Sequence, residues 1–312
     1  MAVESEVWVG AAPRRRPEPK RLPTRERWVR RGPLLPALIF AIVLTQLPFL
    51  FTLYYSVRER NLLRPGSDRF VGLKNYGKVA TDDLFRNAVF NTIKLTVSAV
   101  LLSMLLGVAL AVVLDKKFLG RGIVRTLLIT PFLVMPAAAA LLWKTSIFNP
   151  VFGLLNWVLS LFGVSNVDWV NRFPMPSIVM VLTWQWTPFM MLIVLAGLQS
   201  QSPEILEAAK VDGATAWATF RRITLPHLRQ FIELAVLLGS IFIVQTFDSI
   251  FMITQGGPGQ ATTNLPYFIY QKAFRAFDVG EAAAAGVIVV AATIIIATFA
   301  LRVISGLFQE EA

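Results

Sequence analysis

With 312 residues, 55% of them hydrophobic and only 16% charged, and a mean hydropathy of +0.60, the chain is too apolar for a water-soluble domain and reads as an integral membrane protein. Zero cysteines and one histidine exclude disulfides, thiolate metal sites and cysteine nucleophiles, and argue against a metal centre. The formal charge of +11 could suit nucleic acid, but nine Lys/Arg lie between Arg14 and Arg31, directly before the first apolar run, where they suit the anionic inner face of a membrane.

Residues 1–31 read as a basic, proline-containing cytoplasmic tail, and residues 32–308 as a transmembrane domain. A bilayer crossing takes about 20 apolar residues at about 1.5 Å each. Runs of that length predict six transmembrane helices at about 33–57, 95–114, 124–143, 175–198, 232–253 and 282–303. The first run is too long for a cleaved signal peptide. An even number of spans puts both termini on one side, and Lys116, Lys117, Arg121 and Arg125 in the short gap after the second span make that side cytoplasmic. The gap from Arg58 to Lys94 strains this orientation, since it carries eight basic residues and yet falls outside; the basic flank of the first span decides. Between the third and fourth spans, Asn149–Gly163 is apolar but too short to cross, which predicts an external helix lying in the interface.

The polar gap at 202–226 is the most informative stretch. Ser202-Pro203-Glu204 reads as a helix start, with a serine able to cap and a proline in the first turn. Asp212-Gly213 reads as a turn, because glycine accepts the left-handed backbone that stops one helix and re-aims the next. Two short helices at an angle are expected. Ala208, Ala209 and Val211 leave the first small-sided, so that a groove of another protein could approach it; Trp217, Phe220 and Ile223 give the second an apolar face, and Pro226 starts the following span. Further on, Thr254–Asn264, with Gly256, Gly257 and Pro258, is a turn-rich external loop.

No nucleophile with a base, paired carboxylates or metal cluster stands out, so no catalytic residue is assigned. The phosphate-cradling G-x-x-x-x-G-K-[ST] loop is also missing, so nucleotide hydrolysis would have to reside on another chain. His227, beside Pro226, reads as structural. Polar groups at membrane depth are the candidates for a substrate path. Asp248 is the strongest, with Gln245 three residues before it on the same helical face. Trp184, Gln185 and Trp186 put two indoles and an amide beside Pro188, a combination suited to sugar-like ligands. Gln46 and Asn91 are weaker candidates.

Glu207-Ala208-Ala209, three residues, Gly213, nine residues, then Ile223-x-Leu225-Pro226 resembles the signature loop of membrane subunits of binding-protein-dependent ABC importers. The resemblance runs from about Leu34 to Phe308 and includes Phe70–Tyr76, Arg121–Arg125 and Gly256-Gly257-Pro258, which look like the carbohydrate, maltose-type branch. Asn61–Gly66, Val134-Met135-Pro136, Trp184–Phe189 and Phe277–Gly280 resemble the subgroup importing sugar alcohols such as sorbitol and mannitol. It implies an all-α, six-helix type I importer permease in the bacterial cytoplasmic membrane. Glu207, Ala208, Ala209, Asp212, Gly213, Ile223, Leu225 and Pro226 would belong to a coupling loop seated in a cytoplasmic ATPase, and Gly256, Gly257 and Pro258 would lie near a docked binding protein. Implied partners are a second, similar permease, two ATPase subunits that carry ATP and Mg, an extracytoplasmic binding protein and a sugar or polyol; this chain would hold no cofactor. The alternative is a self-sufficient secondary transporter or channel centred on Asp248, which would leave the Glu207–Pro226 spacing unexplained.

Overall fold

A computed structural model of the chain describes residues 34–164 and 166–309, so the basic tail at 1–31 lies outside the described residues. The chain divides into two compact units, Met1–Phe51 and Thr52–Ala312. Helix α1 (Leu35–Ser56) begins in the first, where its side chains are exposed almost throughout. Its 22 residues are about 33 Å long, enough to cross a bilayer.

The second unit opens with a two-residue hairpin, β1 (Arg58–Glu59) against β2 (Arg69–Phe70), in register Arg58↔Phe70. Ion pairs Arg58–Asp68 at 2.6 Å and Arg69–Glu59 at 2.7 Å occupy four of the charges in this basic gap. After α2 (Lys74–Thr81), Asp82 caps α3 (Asp83–Asp115) by accepting from Leu84 N at 2.8 Å. The end of α1 is clasped here. Asn75, buried in α2, donates to Ser56 O at 3.0 Å and to Arg58 O at 2.8 Å. Phe277 O accepts from Leu62 N at 2.9 Å, and a side chain at Gly280 would collide with Arg58 O. The phrases Asn61–Gly66, Phe70–Tyr76 and Phe277–Gly280 thus meet in one structural cluster.

The core forms around α8 (Pro174–Gln199), most of whose residues are buried. Leu95, Ala99, Ser103, Gly107 and Ala111 recur every four residues along α3 and are all buried, making one helical stripe. Gly107 lets the two backbones touch, because a Cβ there would lie 2.8 Å from Met190 Cβ and 2.9 Å from Met191 N. Gly239 of α11 (Leu225–Ile243) makes room for the end of the Met190 side chain, and Gly197 of α8 leaves room for the Phe231 ring.

Two of the expected spans are broken. In place of one straight helix at 124–143, α4 (Arg121–Leu133) and α5 (Pro136–Leu142) meet at 99°, with α5 running into a wide π turn at Trp143–Ile147. Pro136 explains the bend: it has no N–H to continue the ladder and keeps Met135 before it out of the helical region, ψ 131; Val134 is extended as well, ψ 132. The fifth stretch ends at Ile243 rather than 253; four non-helical residues follow before α12 (Asp248–Ile253). Lys144 ties the two second halves together, donating to Met252 O at 2.9 Å at the C-terminal end of α12, where a cation suits the helix dipole. Between them, α6 (Leu154–Ser160) is a short helix exposing Leu154 and Trp157, with exposed Phe152, Leu161 and Phe162 flanking it, and α7 (Trp169–Arg172) leads into α8.

After the 254–264 loop come α13 (Leu265–Tyr270), a π turn at Gln271–Arg275 and α14 (Val279–Gln309). Helices occupy all six apolar stretches. Among the described residues, four helices qualify as spans by length and apolar composition and the bent α4–α5 pair makes five; α14 is apolar over Val279–Ile294 as well.

Candidate functional site

Helix α9 (Pro203–Val211) begins the 202–226 loop. Ser202 does not cap it with its side chain; Pro203 at the start and Glu204 in the first turn serve instead, one needing no N–H partner and the other complementing the dipole. The other end is closed tightly. Gly213 has φ +76, Gly213 N donates to Lys210 O at 3.1 Å, and Ala214 N reaches back to Ala209 O at 3.0 Å, the paired bonds of a Schellman cap. Thr215 then starts the next helix by accepting from Ala218 N at 3.3 Å. Thr215 is a functional cap not singled out above, although a threonine directly after Gly213-Ala214 and three residues before Ala218 is a cap signal in the sequence itself.

That next helix is not a separate short piece. α10 (Ala216–Thr219) continues through a π turn at Phe220–Thr224 into α11, so one helix runs from Ala216 to Ile243. Pro226 sits inside it, and the widened turn, in which Leu225 N bonds Phe220 O, accommodates the missing donor. Glu207, Ala208, Asp212, Gly213, Leu225 and Pro226 are exposed, and Ile223 is half-buried. Ala209 is buried, so the small-sided face narrows to Ala208 and Val211. Val211 is 87% exposed and Trp217 69%, the latter stacked on Phe220 at 6.0 Å. Two large apolar side chains at the tip of a polar loop are what a protein–protein contact uses. His227 braces the base of the loop: its Nε2 lies 3.1 Å from both Gly197 O and Ser200 Oγ at the end of α8.

The substrate-path candidates are dispersed. Gln185 is buried, and its Nε2 donates at 3.0 Å to Val134 O, a carbonyl freed by the α4–α5 break. Trp186 lies among Phe132, Phe189 and Phe242, stacked on the last at 5.5 Å, and Trp184 meets Trp143 edge-on at 5.7 Å. Gln245 and Asp248 do not share a helical face, because the break at 244–247 separates them. Gln245 donates back to Ile241 O at 2.8 Å, while exposed Asp248 opens α12, its carboxylate where a helix N-terminus favours it.

The loop at 254–264 is a knot with a small tip. Gly256 is buried at φ +82, where a Cβ would lie 2.5 Å from Thr263 Oγ1, whereas Pro258 and Gly259 are exposed and Gly257 is intermediate. Thr262, Thr263 and Asn264 are each 1% exposed. Asn91 is buried beside them as a structural amide on this loop.

The profile of the family described as the binding-protein-dependent transport system inner membrane component matches residues 99–309. The chain is 38% identical over 252 residues, 80% of itself and 81% of the relative, to a probable ABC transporter permease protein of Sinorhizobium fredii. It is 35% identical over 251 residues, 80% of itself and 83% of the relative, to the trehalose/maltose transport system permease protein MalF of Thermococcus litoralis. The sulfoquinovosyl glycerol transport system permease protein SmoG of Agrobacterium fabrum is 31% identical over 298 residues, 93% of this chain and 96% of that one. A solved chain from a bacterial ABC transporter involved in import of the acidic polysaccharide alginate has TM-score 0.77 at 22% identity, covering 90% of this chain and 96% of its own, a likeness of fold.

Proposed function

This chain belongs to the binding-protein-dependent transport system inner membrane components, and as such is a multi-pass permease subunit of an ABC importer; on that premise we propose that its cargo is a sugar or sugar alcohol. Relatives named for trehalose, maltose and sulfoquinovosyl glycerol support a carbohydrate-like substrate. Within that class we place it with importers of sorbitol- or mannitol-like polyols, on the phrases around Asn61, Val134, Trp184 and Phe277.

The observation that carries the coupling role is the 202–226 loop, a short helix stopped by a left-handed glycine with Glu207, Ala208, Val211 and Trp217 exposed. It docks on an ATPase subunit that supplies ATP and Mg, and this chain binds no cofactor of its own. A second permease, a second ATPase and an extracytoplasmic binding protein complete the importer. Both termini and the 202–226 loop face the cytoplasm, and the 254–264 loop faces out. ATP binding closes the ATPases, moves the coupling helices and turns the cavity outward to receive cargo. The candidates for the cavity wall are Trp184, Gln185, Trp186, Gln245 and Asp248.

The test is purification of the tagged chain from its native membrane in mild detergent, with ATPase activity measured against sorbitol, mannitol, maltose and trehalose in the presence of the co-encoded binding protein. Co-purification of an ATPase stimulated by a polyol is expected. A chain that purifies alone and moves solute into liposomes without ATP would overturn the assignment and make Asp248 the centre of a secondary transporter.

A further inference from the structure

Two asparagines one helical turn apart on α3 hold the 254–264 loop by a single carbonyl. Asn87 Nδ2 and Asn91 Nδ2 each donate to Gln260 O at 2.9 Å, and the second amide proton of Asn91 reaches Thr263 O at 3.0 Å. The next residue, Thr92, accepts from Leu265 N at 2.9 Å through its hydroxyl. Beyond these bonds the loop closes on itself, with Thr254 Oγ1 and Thr262 Oγ1 2.7 Å apart, Thr263 Oγ1 donating to Gln260 Oε1 at 2.6 Å, and Asn264 donating to Thr246 O. Asn91 is 5% exposed, so its two donated bonds are made away from water, where an unpaired amide or carbonyl costs about 1–3 kcal/mol.

The consequence is a loop with a fixed base and a small free tip. Gln260 O is the only loop carbonyl given two side-chain donors among the described residues, and it lies between the exposed tip residues Gly259 and Ala261. The base is thereby referenced to α3, which packs along α8 through the Gly107 contact. A partner meeting the tip meets a surface already in place, and does not have to order a glycine-rich segment on binding.

We propose that Asn87 and Asn91 are positioning residues for the docking of the extracytoplasmic binding protein, presetting the Pro258–Ala261 tip from α3. This rests on the assignment of the tip as the binding-protein face. Neither asparagine touches the partner; each acts through the Gln260 carbonyl.

The chain has no cysteine, so Ala261→Cys gives this subunit a single environment-sensitive fluorophore at the tip, with the importer lacking that substitution labelled alongside as background. The assembled importer, reconstituted in lipid nanodiscs, is titrated with the binding protein. A saturable signal is expected with the native asparagines. Asn91→Asp, which turns a two-proton donor into an acceptor facing two carbonyls, raises the apparent Kd about tenfold, and Asn87→Ala, at a half-buried site that tolerates truncation, raises it about two- to fivefold, while the signal at saturation stays the same. If the signal saturates with an unchanged Kd in both variants, the positioning role is overturned and the tip assignment survives. No saturable signal with native asparagines defeats the tip assignment and this inference with it. Should Asn91→Asp fail to assemble, Asn87→Ala alone decides, since its unchanged Kd excludes the role.

Discussion

Substitution of Gly213 separates backbone geometry from every other explanation of the 202–226 loop. Its φ of +76 lies in the left-handed region, and a Cβ built there meets nothing within 4 Å, so any penalty is conformational and none is steric. Asparagine tolerates this region and should cost a few tenths of a kcal/mol, whereas alanine should cost about 1–2 kcal/mol. Proline cannot reach a positive φ and also deletes the N–H that bonds Lys210 O at 3.1 Å, for about 3 kcal/mol or more. At about 1.4 kcal/mol per tenfold, the correctly capped loop becomes some 5- to 30-fold rarer with alanine and over 100-fold rarer with proline. ATP-driven uptake in proteoliposomes, with chain abundance in the membrane as control, should fall in the order Asn, Ala, Pro, and Gly213→Pro should abolish it while the chain stays in the membrane. Wild-type uptake by the proline variant, or equal losses for all three, would refute the role given to the cap.

Gln185→Leu should lower thermal stability in detergent by about 1–3 kcal/mol, because it strands Val134 O at the α4–α5 break; an unchanged melting temperature would mean water or a neighbour takes the bond. Asp248→Ala should slow uptake without releasing the ATPase, and uptake unchanged across all tested substrates would return Asp248 to a helix-terminus role. The Lys272 cluster predicts a pH window: burial alone would raise the Asp82 pKa, but the bond from Lys272 at 3.0 Å and that from Leu84 N hold it below the ordinary carboxylate value. Burial likewise opposes the Lys272 charge, but its bonds to Glu281 and Asp82 outweigh this and raise its pKa. Asp82 therefore stabilises above its unfolded pKa of about 4 and loses this as pH falls through the depressed folded value; Lys272 stabilises below its unfolded pKa of about 10.4 and loses this as pH rises through the raised one. Unfolding scans of Lys272→Met and the parent should differ most between about pH 5 and 9 and converge in strong acid; a constant difference across all pH would exclude the ion cluster as the cause.

Long apolar runs are legible because a bilayer-spanning helix is a compositional object. The expected 175–198 span is observed at Pro174–Gln199. Gly213 is legible too, since few residues other than glycine adopt its backbone. The breaks are harder. Pro136 is plain in the sequence, but the uncharged run around it hides a 99° bend, because hydropathy counts residues and not hydrogen bonds. The interruption at 244–247 contains no proline or glycine at all; it is held in place from outside, by Asn264 bonding Thr246 O eighteen residues away. Gln185 could be read either as a ligand group or as a partner for some carbonyl, and only the position of Val134 distinguishes these. Asn87 carries no signal of its own and Asn91 reads only as a weak substrate-path candidate, because their partner is about 170 residues further along the chain.

The clasp at the end of α1 has a bearing on how the chain matures. Asn61 Nδ2 bonds Ala276 O across 215 residues, and Val279 N bonds Arg60 O at 3.0 Å. As synthesis proceeds from the N-terminus, the hairpin at 58–70 emerges early and waits, with its backbone groups solvated, until the segment around Gly280 has been made. A chain that stops before that point lacks the bonds to Arg60, Asn61 and Leu62, so the clasp closes only once the segment through Gly280 is present.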